Sequence, residues 1–151
     1  MVRTLIIGIG NPVLGDDAVG IHVTDALRKV ELPNDVTIEE AFTGGMNLLD
    51  MVIGYDRAIL VDSISLPDRE VGEIIVLDPT TLRSDHSVNP HDLSFPEAVE
   101  LAKTLGEEKV PRKMVLIAIN IRRSLEISDR LSPEVQSSVM RAMQLVTEIV
   151  R

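Results

Sequence analysis

Apolar runs of strand length alternate along this chain with stretches in which apolar residues recur at helical spacing. That pattern predicts an α/β fold: a twisted, mostly parallel sheet with helices on both faces, a three-layer sandwich. Leu5 to Ile9 is a continuous apolar run interrupted only by glycine, and Val19, Val23, Ala26, Leu27 and Val30 follow at the helical period. A second strand is expected around Val36 to Ala41, a short helix near Met46 to Val52, and a third strand at Ala58 to Val61. Gly72 to Leu77 reads as a further strand. Residues 78–92 then carry two prolines, two histidines and three aspartates with no apolar period, and a loop of that length is usually functional or disordered.

Beyond the loop, Ser94 and Glu97 fit a capping box, with Val99, Ala102 and Leu105 stacked on one side of the helix and Gly106 closing it. Met114 to Ile119 is the last buried strand. Ser132-Pro133 then opens a carboxy-terminal helix with apolar residues at Val135, Val139, Ala142, Met143, Val146, Ile149 and Val150. Neither an internal repeat nor a linker divides the chain, so one domain over residues 1–151 is expected.

Composition narrows the chemistry. The core must be aliphatic, because Tyr55, Phe42 and Phe95 are the only aromatic residues. The net charge is -9 with the acids scattered, which disfavours nucleic acid, since phosphate binding rests on clustered Lys and Arg. With no cysteine, disulfides, thiolate metal sites and cysteine nucleophiles are all excluded. The first apolar run is too short for a signal peptide core and none reaches the ~18 residues of a membrane span. The expectation is a soluble, cytoplasmic protein with no membrane partner.

Gly8 to Gly20 joins the first strand to the first helix, at the edge where open parallel sheets bind ligands. Its glycines do not fall as G-x-G-x-x-G and no P-loop lysine follows. Two carboxylates, Asp16 and Asp17, stand where an anion would otherwise meet the helix. A single acid there would ordinarily cap the helix; of a pair, one can cap while the other is left to bind a metal or a proton. Asp62 follows a buried strand directly and is expected at the same crevice, although Asp is also common where strands turn. Of the histidines, His22 lies on the first helix, and His91 is better placed than His86 because Pro90 stiffens its backbone and the capped helix starts three residues on. Two carboxylates and an imidazole suit a borderline divalent ion such as zinc or nickel.

These residues resemble a known family. Gly10-Asn11-Pro12-Val13-Leu14-Gly15-Asp16-Asp17-Ala18-Val19-Gly20 is similar to the opening signature of the nickel-iron hydrogenase maturation endopeptidases. Thr43-Gly44-Gly45-Met46-Asn47-Leu48-Leu49, Leu60-Val61-Asp62-Ser63-Ile64, Pro90-His91-Asp92-Leu93 and Leu131-Ser132-Pro133-Glu134-Val135 continue the likeness in order. The resemblance implies that Asp17, Asp62 and His91 bind a metal, and that the partner is the precursor of a hydrogenase large subunit. It further implies removal of that partner's carboxy-terminal extension after nickel loading, the metal engaged being the substrate's own nickel, by a monomeric enzyme. Asp16, Asp17 and Asp62 are the candidate catalytic acids, Asp16 being the spare carboxylate for activating water. Two runs depart from the family's pattern, Glu40-Ala41-Phe42-Thr43 and Asn120-Ile121-Arg122. They sustain an alternative reading as a nickel-sensing relative without cleavage. A peptidyl-tRNA hydrolase shares the Gly-Asn-Pro opening, but His22 lacks that enzyme's surrounding residues.

Overall fold

The computed structural model describes residues 2–42, 46–81 and 94–151. Among these residues five strands form one sheet in the order β2-β1-β3-β5-β4: β1 (Thr4–Ile9), β2 (Val36–Ala41), β3 (Arg57–Ile64), β4 (Ile74–Leu77) and β5 (Lys113–Asn120). The first four in that order are mutually parallel and β4 runs antiparallel against β5 as the edge. Among the described residues four helices cover the sheet: α1 (Val19–Leu27), α2 (Met46–Val52), α3 (Phe95–Thr104) and α4 (Pro133–Val150). No helix among the described residues is long and apolar enough to cross a membrane.

The period-two alternation of the strands sorts the core into two layers. Ile6, Ile59, Val61, Ile117 and Ile119 face α1 and α4, whereas Leu5, Ile7, Leu60, Leu116 and Ala118 face α2 and α3. Most of these side chains are buried almost completely, each contributing roughly 1.5–3 kcal/mol relative to exposure for a side chain of Val to Ile size. Helix α4 buries Val135, Val139, Ala142, Val146 and Val150 along one stripe, as its sequence period predicts.

Three boundaries differ from the sequence pattern. Helix α1 stops at Leu27, so Val30, which fits the helical spacing, lies beyond it and is exposed. Leu105 follows α3 and is 77% exposed, the helix burying Phe95, Ala98 and Val99 instead. The strand expected from Gly72 begins at Ile74, because Gly72 is a turn residue with φ +92°.

The sheet's order fixes where a site can form. From β1 the chain moves outward to β2 and then returns across β1 to β3, so the order reverses between β1 and β3 and opens a crevice at their carboxyl ends. Helix α1 sits tightly over that crevice because Gly8 and Gly20 face one another. A Cβ on Gly20 would collide with the Val61 and Ile9 carbonyls, and one on Gly8 would meet the Gly20 carbonyl at 2.5 Å.

Candidate active site

The turn after β1 is shaped by Asn11, whose Oδ1 accepts the Val13 amide at 3.1 Å, as Asx turns do. A short 3-10 turn, Gly15–Ala18, then carries Asp16 and Asp17 into α1. Neither acid caps α1, whose N-cap is Ala18 without a side-chain bond. The two neighbours instead diverge.

Asp16 reaches 116 residues along the chain and accepts the Ser132 amide at 2.6 Å and its hydroxyl at 2.7 Å. Ser132 is the N-cap of α4, so Asp16 fastens the start of the last helix to the first loop. Sequence reasoning expected a spare carboxylate here. Each oxygen here accepts one charge-assisted hydrogen bond.

Asp17 turns to the crevice. Its Oδ2 accepts the Asn11 amide at 3.0 Å and its Oδ1 accepts the Ser63 hydroxyl at 3.0 Å. Arg123 approaches the same Oδ1 at 3.3 Å. Asp62, two residues before the end of β3, is half-buried and accepts the Ser63 amide on Oδ1 at 2.7 Å. Ser63 therefore bridges the two acids, its amide serving Asp62 and its hydroxyl serving Asp17. The convergence of Asp17 and Asp62 expected from the sequence is what the fold produces.

The electrostatics follow first from the burial of Asp62 and only then from its neighbours. Burial pushes the Asp62 carboxyl from its ordinary 3.8 up to about 7. The Ser63 amide pulls it down, the Asp17 carboxylate adds to the rise, and Arg123 opposes it. A carboxyl poised near neutrality beside a second acid is the kind of group that exchanges a proton or yields it to a cation. Among the described residues, Oδ2 of Asp62 accepts no protein hydrogen bond.

A second loop, residues 121–132, forms the other wall. Gly15 donates to the Ser128 carbonyl, Ser128 donates to the Val13 carbonyl, and Ile121 donates to the Ile64 carbonyl, each at 2.8 Å. Between the two loops lies a cleft of about 180 Å³ lined by Asp16, Asp17, Arg122, Ser124 and Ser128 among others. A larger groove of about 490 Å³, lined by Leu49, Ile53, Leu101 and Leu105, lies at the opposite end of the strands, beside the segments that lead into β3 and β5.

Asn120 opens the Asn120-Ile121-Arg122 departure and has a structural task. Its buried side chain accepts the Leu66 amide at 2.8 Å and donates to the Leu66, Arg69 and Glu70 carbonyls, fixing the loop between β3 and β4. The other departure ends β2, with Ala41 buried and Phe42 63% exposed beside the Gly10 turn, where the Gly10 amide donates to the Ala41 carbonyl. His22 is half-buried on α1, and among the described residues no three His, Asp or Glu side chains form a metal-binding group. His86, His91 and the runs Thr43 to Gly45 and Pro90 to Leu93 lie outside the described residues.

Ser63, Arg123 and Ser132 were missed by sequence reasoning as site residues. Ser63 had a signal, since it adjoins Asp62 and an alternating strand sends its side chain to the opposite face, where α1 brings Asp17. Arg123 and Ser132 had none, because their partners lie 106 and 116 residues away.

Comparison with known proteins gives this geometry its context. The model of the family described as hydrogenase maturation protease matches residues 21–149. The hydrogenase 2 maturation protease of Escherichia coli strain K12 is 29% identical over 153 residues, covering 99% of this chain and 92% of that protein. The solved hydrogenase maturating endopeptidase HybD from E. coli superimposes with a TM-score of 0.79 at 30% identity, covering 99% of this chain and 92% of the other. The hydrogenase maturation protease HycI from Thermococcus kodakarensis KOD1 gives a TM-score of 0.75 at 26% identity, with 99% and 92% covered. The peptidyl-tRNA hydrolase reading falls away: this chain belongs to the hydrogenase maturation protease family and is a hydrogenase maturation endopeptidase.

Proposed function

We propose that this endopeptidase removes the carboxy-terminal extension from the precursor of a nickel-iron hydrogenase large subunit once nickel has been inserted. In this reading Asp17, Asp62 and His91 engage the substrate's own nickel. The observation that carries it is the meeting of Asp17, from the turn before α1, and Asp62, from the end of β3, around Ser63. Their oxygens suit a borderline divalent ion completed by an imidazole. Zinc or another divalent ion would stand in for nickel in vitro, and the enzyme acts as a cytoplasmic monomer.

The chemistry follows from placement. Gripping the metal anchors the precursor and sets its scissile peptide beside the carboxylates, converting an encounter into a positioned reaction. A water attacks the peptide carbonyl and gives its proton to a carboxylate of the pair. That proton passes to the amine of the departing extension as the C–N bond breaks. Asp16 contributes by holding α4 and the 121–132 loop against the first loop, a positioning role.

The test is incubation of the protein with nickel-loaded and nickel-free precursor, reading the mass of the large subunit. Cleavage of the loaded form alone is expected. Equal cleavage of both forms would refute nickel-dependent recognition, and binding of the loaded form without cleavage would refute the hydrolytic assignment to this site.

A further inference from the structure

The Asp17–Asp62 pair already has a cation beside it. Arg123 NH1 stands 3.3 Å from Asp17 Oδ1, the oxygen that also receives the Ser63 hydroxyl. The Arg123 side chain is 62% exposed, and so loose a pair contributes little to folding. Its placement is nonetheless built. The 121–132 loop is clipped to the end of β3 through Ile121, to the first loop through Ser128, and to Asp16 through Ser132. Between the first two clips, residues 122–127 belong to no helix or strand, and the guanidinium is held by the Asp17 carboxylate from an exposed side.

We infer that Arg123 is a specificity-determining residue that biases the Asp17–Asp62 pair against free divalent cations and towards a metal already held by anionic ligands in a protein substrate. The inference rests on the proposal that this pair engages the substrate's nickel. A free aqua-ion carries its full double charge, so it must displace the guanidinium or suffer its repulsion at a few ångströms. A metal seated in a protein is held by deprotonated ligands, which cancel or reverse its charge. Where those ligands leave the metal group net anionic, the guanidinium attracts it. One residue thus acts with opposite sign on two states of the same metal, and discrimination needs that repulsive element as well as the attractive one.

The test titrates the metal-free full-length protein with nickel chloride by calorimetry, comparing the unaltered protein with Arg123→Lys and Arg123→Gln. The same variants are then assayed on nickel-loaded precursor. Arg123→Gln is expected to bind free nickel about tenfold tighter and to show a KM for loaded precursor raised severalfold, while Arg123→Lys stays close to the unaltered protein in both. Adding Asp62→Asn to Arg123→Gln should abolish the gain in free-nickel affinity. Arg123→Gln binding free nickel no tighter, or cleaving loaded precursor at an unchanged KM, would overturn the inference. Free-nickel binding that Asp17→Asn and Asp62→Asn leave untouched in every background would instead overturn the ligand assignment on which it rests.

Discussion

At the amino-terminal end of β1 and β3, Arg57 donates from Nε to the buried Thr4 hydroxyl at 3.0 Å and from NH1 to the Ile149 carbonyl at 2.9 Å. Beside it Asp56 accepts the Arg3 amide at 2.8 Å, and the Arg3 guanidinium lies 4.9 Å from the centre of the Tyr55 ring. At the carboxyl end of the same two strands, Asp17 and Asp62 share one serine and one loosely held arginine, and the Asp62 carboxyl rises to about 7. One end pairs its polar groups and closes the fold. The other buries a carboxyl beside a second acid at a cost in stability, the kind of local conflict expected at functional sites.

Several substitutions would sharpen or break this contrast. The largest effect is expected at Gly20, where any side chain meets the Val61 and Ile9 carbonyls and lifts α1 from the crevice. Gly20→Val should lose about 4 kcal/mol or more in urea denaturation, and a loss below 1 kcal/mol would mean that the close approach of α1 is dispensable.

Next comes Asp62. Its folded pKa, about 7, lies above the ordinary 3.8, so between those values the folded state binds more protons than the unfolded one. Stability of the metal-free protein should therefore fall as pH rises from about 4 to 7 and level off above that. Asp62→Asn removes this dependence. It should match the unaltered protein near pH 4 and exceed it by about 3 kcal/mol at pH 8, allowing for the side chain's partial contact with solvent. Identical pH profiles for the two proteins would show that Asp62 is not strained by its surroundings.

A smaller loss, about 2 kcal/mol, is expected for Asp16→Ala, which leaves the Ser132 amide at the head of α4 without its charged acceptor. Smaller again is Arg57→Met at the opposite end, about 1 kcal/mol, with Thr4 losing its donor. Should Arg57→Met prove costlier than Asp16→Ala, the closure at the amino-terminal end would matter more to the fold than the clasp between the first loop and α4.

Much of this architecture was legible in the sequence, because each element has a local cause. The β1 to β3 runs, the Ser94–Glu97 cap and Pro133 at the head of α4 each carry their own signal, and the Ser94 hydroxyl does accept the Glu97 amide and donate to its carboxylate. The direction of β4 was not legible, since a four-residue run, Ile74–Leu77, carries no mark of being parallel or antiparallel. In the site, the approach of Asp17 to Asp62 followed from topology, one lying in the loop after β1 and the other near the end of the neighbouring parallel β3. The partner of Asp16 was not legible, because helix capping and dipole arguments concern the nearest helix, whereas Ser132 caps a different helix 116 residues away. Asn120 likewise looked like a departure at a turn and proved to be a buried clamp on another loop.

In the proposed function Asp17 and Asp62 perform the recognition and hydrolysis while Asp16 holds the frame. The most direct measurement is the rate of cleavage of nickel-loaded precursor by Asp16→Asn, Asp17→Asn and Asp62→Asn, each first shown to be folded. Losses of at least about a hundredfold are expected for Asp17→Asn and Asp62→Asn, with Asp16→Asn, which can still accept from the Ser132 amide, staying within about tenfold of the unaltered enzyme. Full activity in Asp62→Asn, or a loss in Asp16→Asn as deep as in Asp17→Asn, would contradict it.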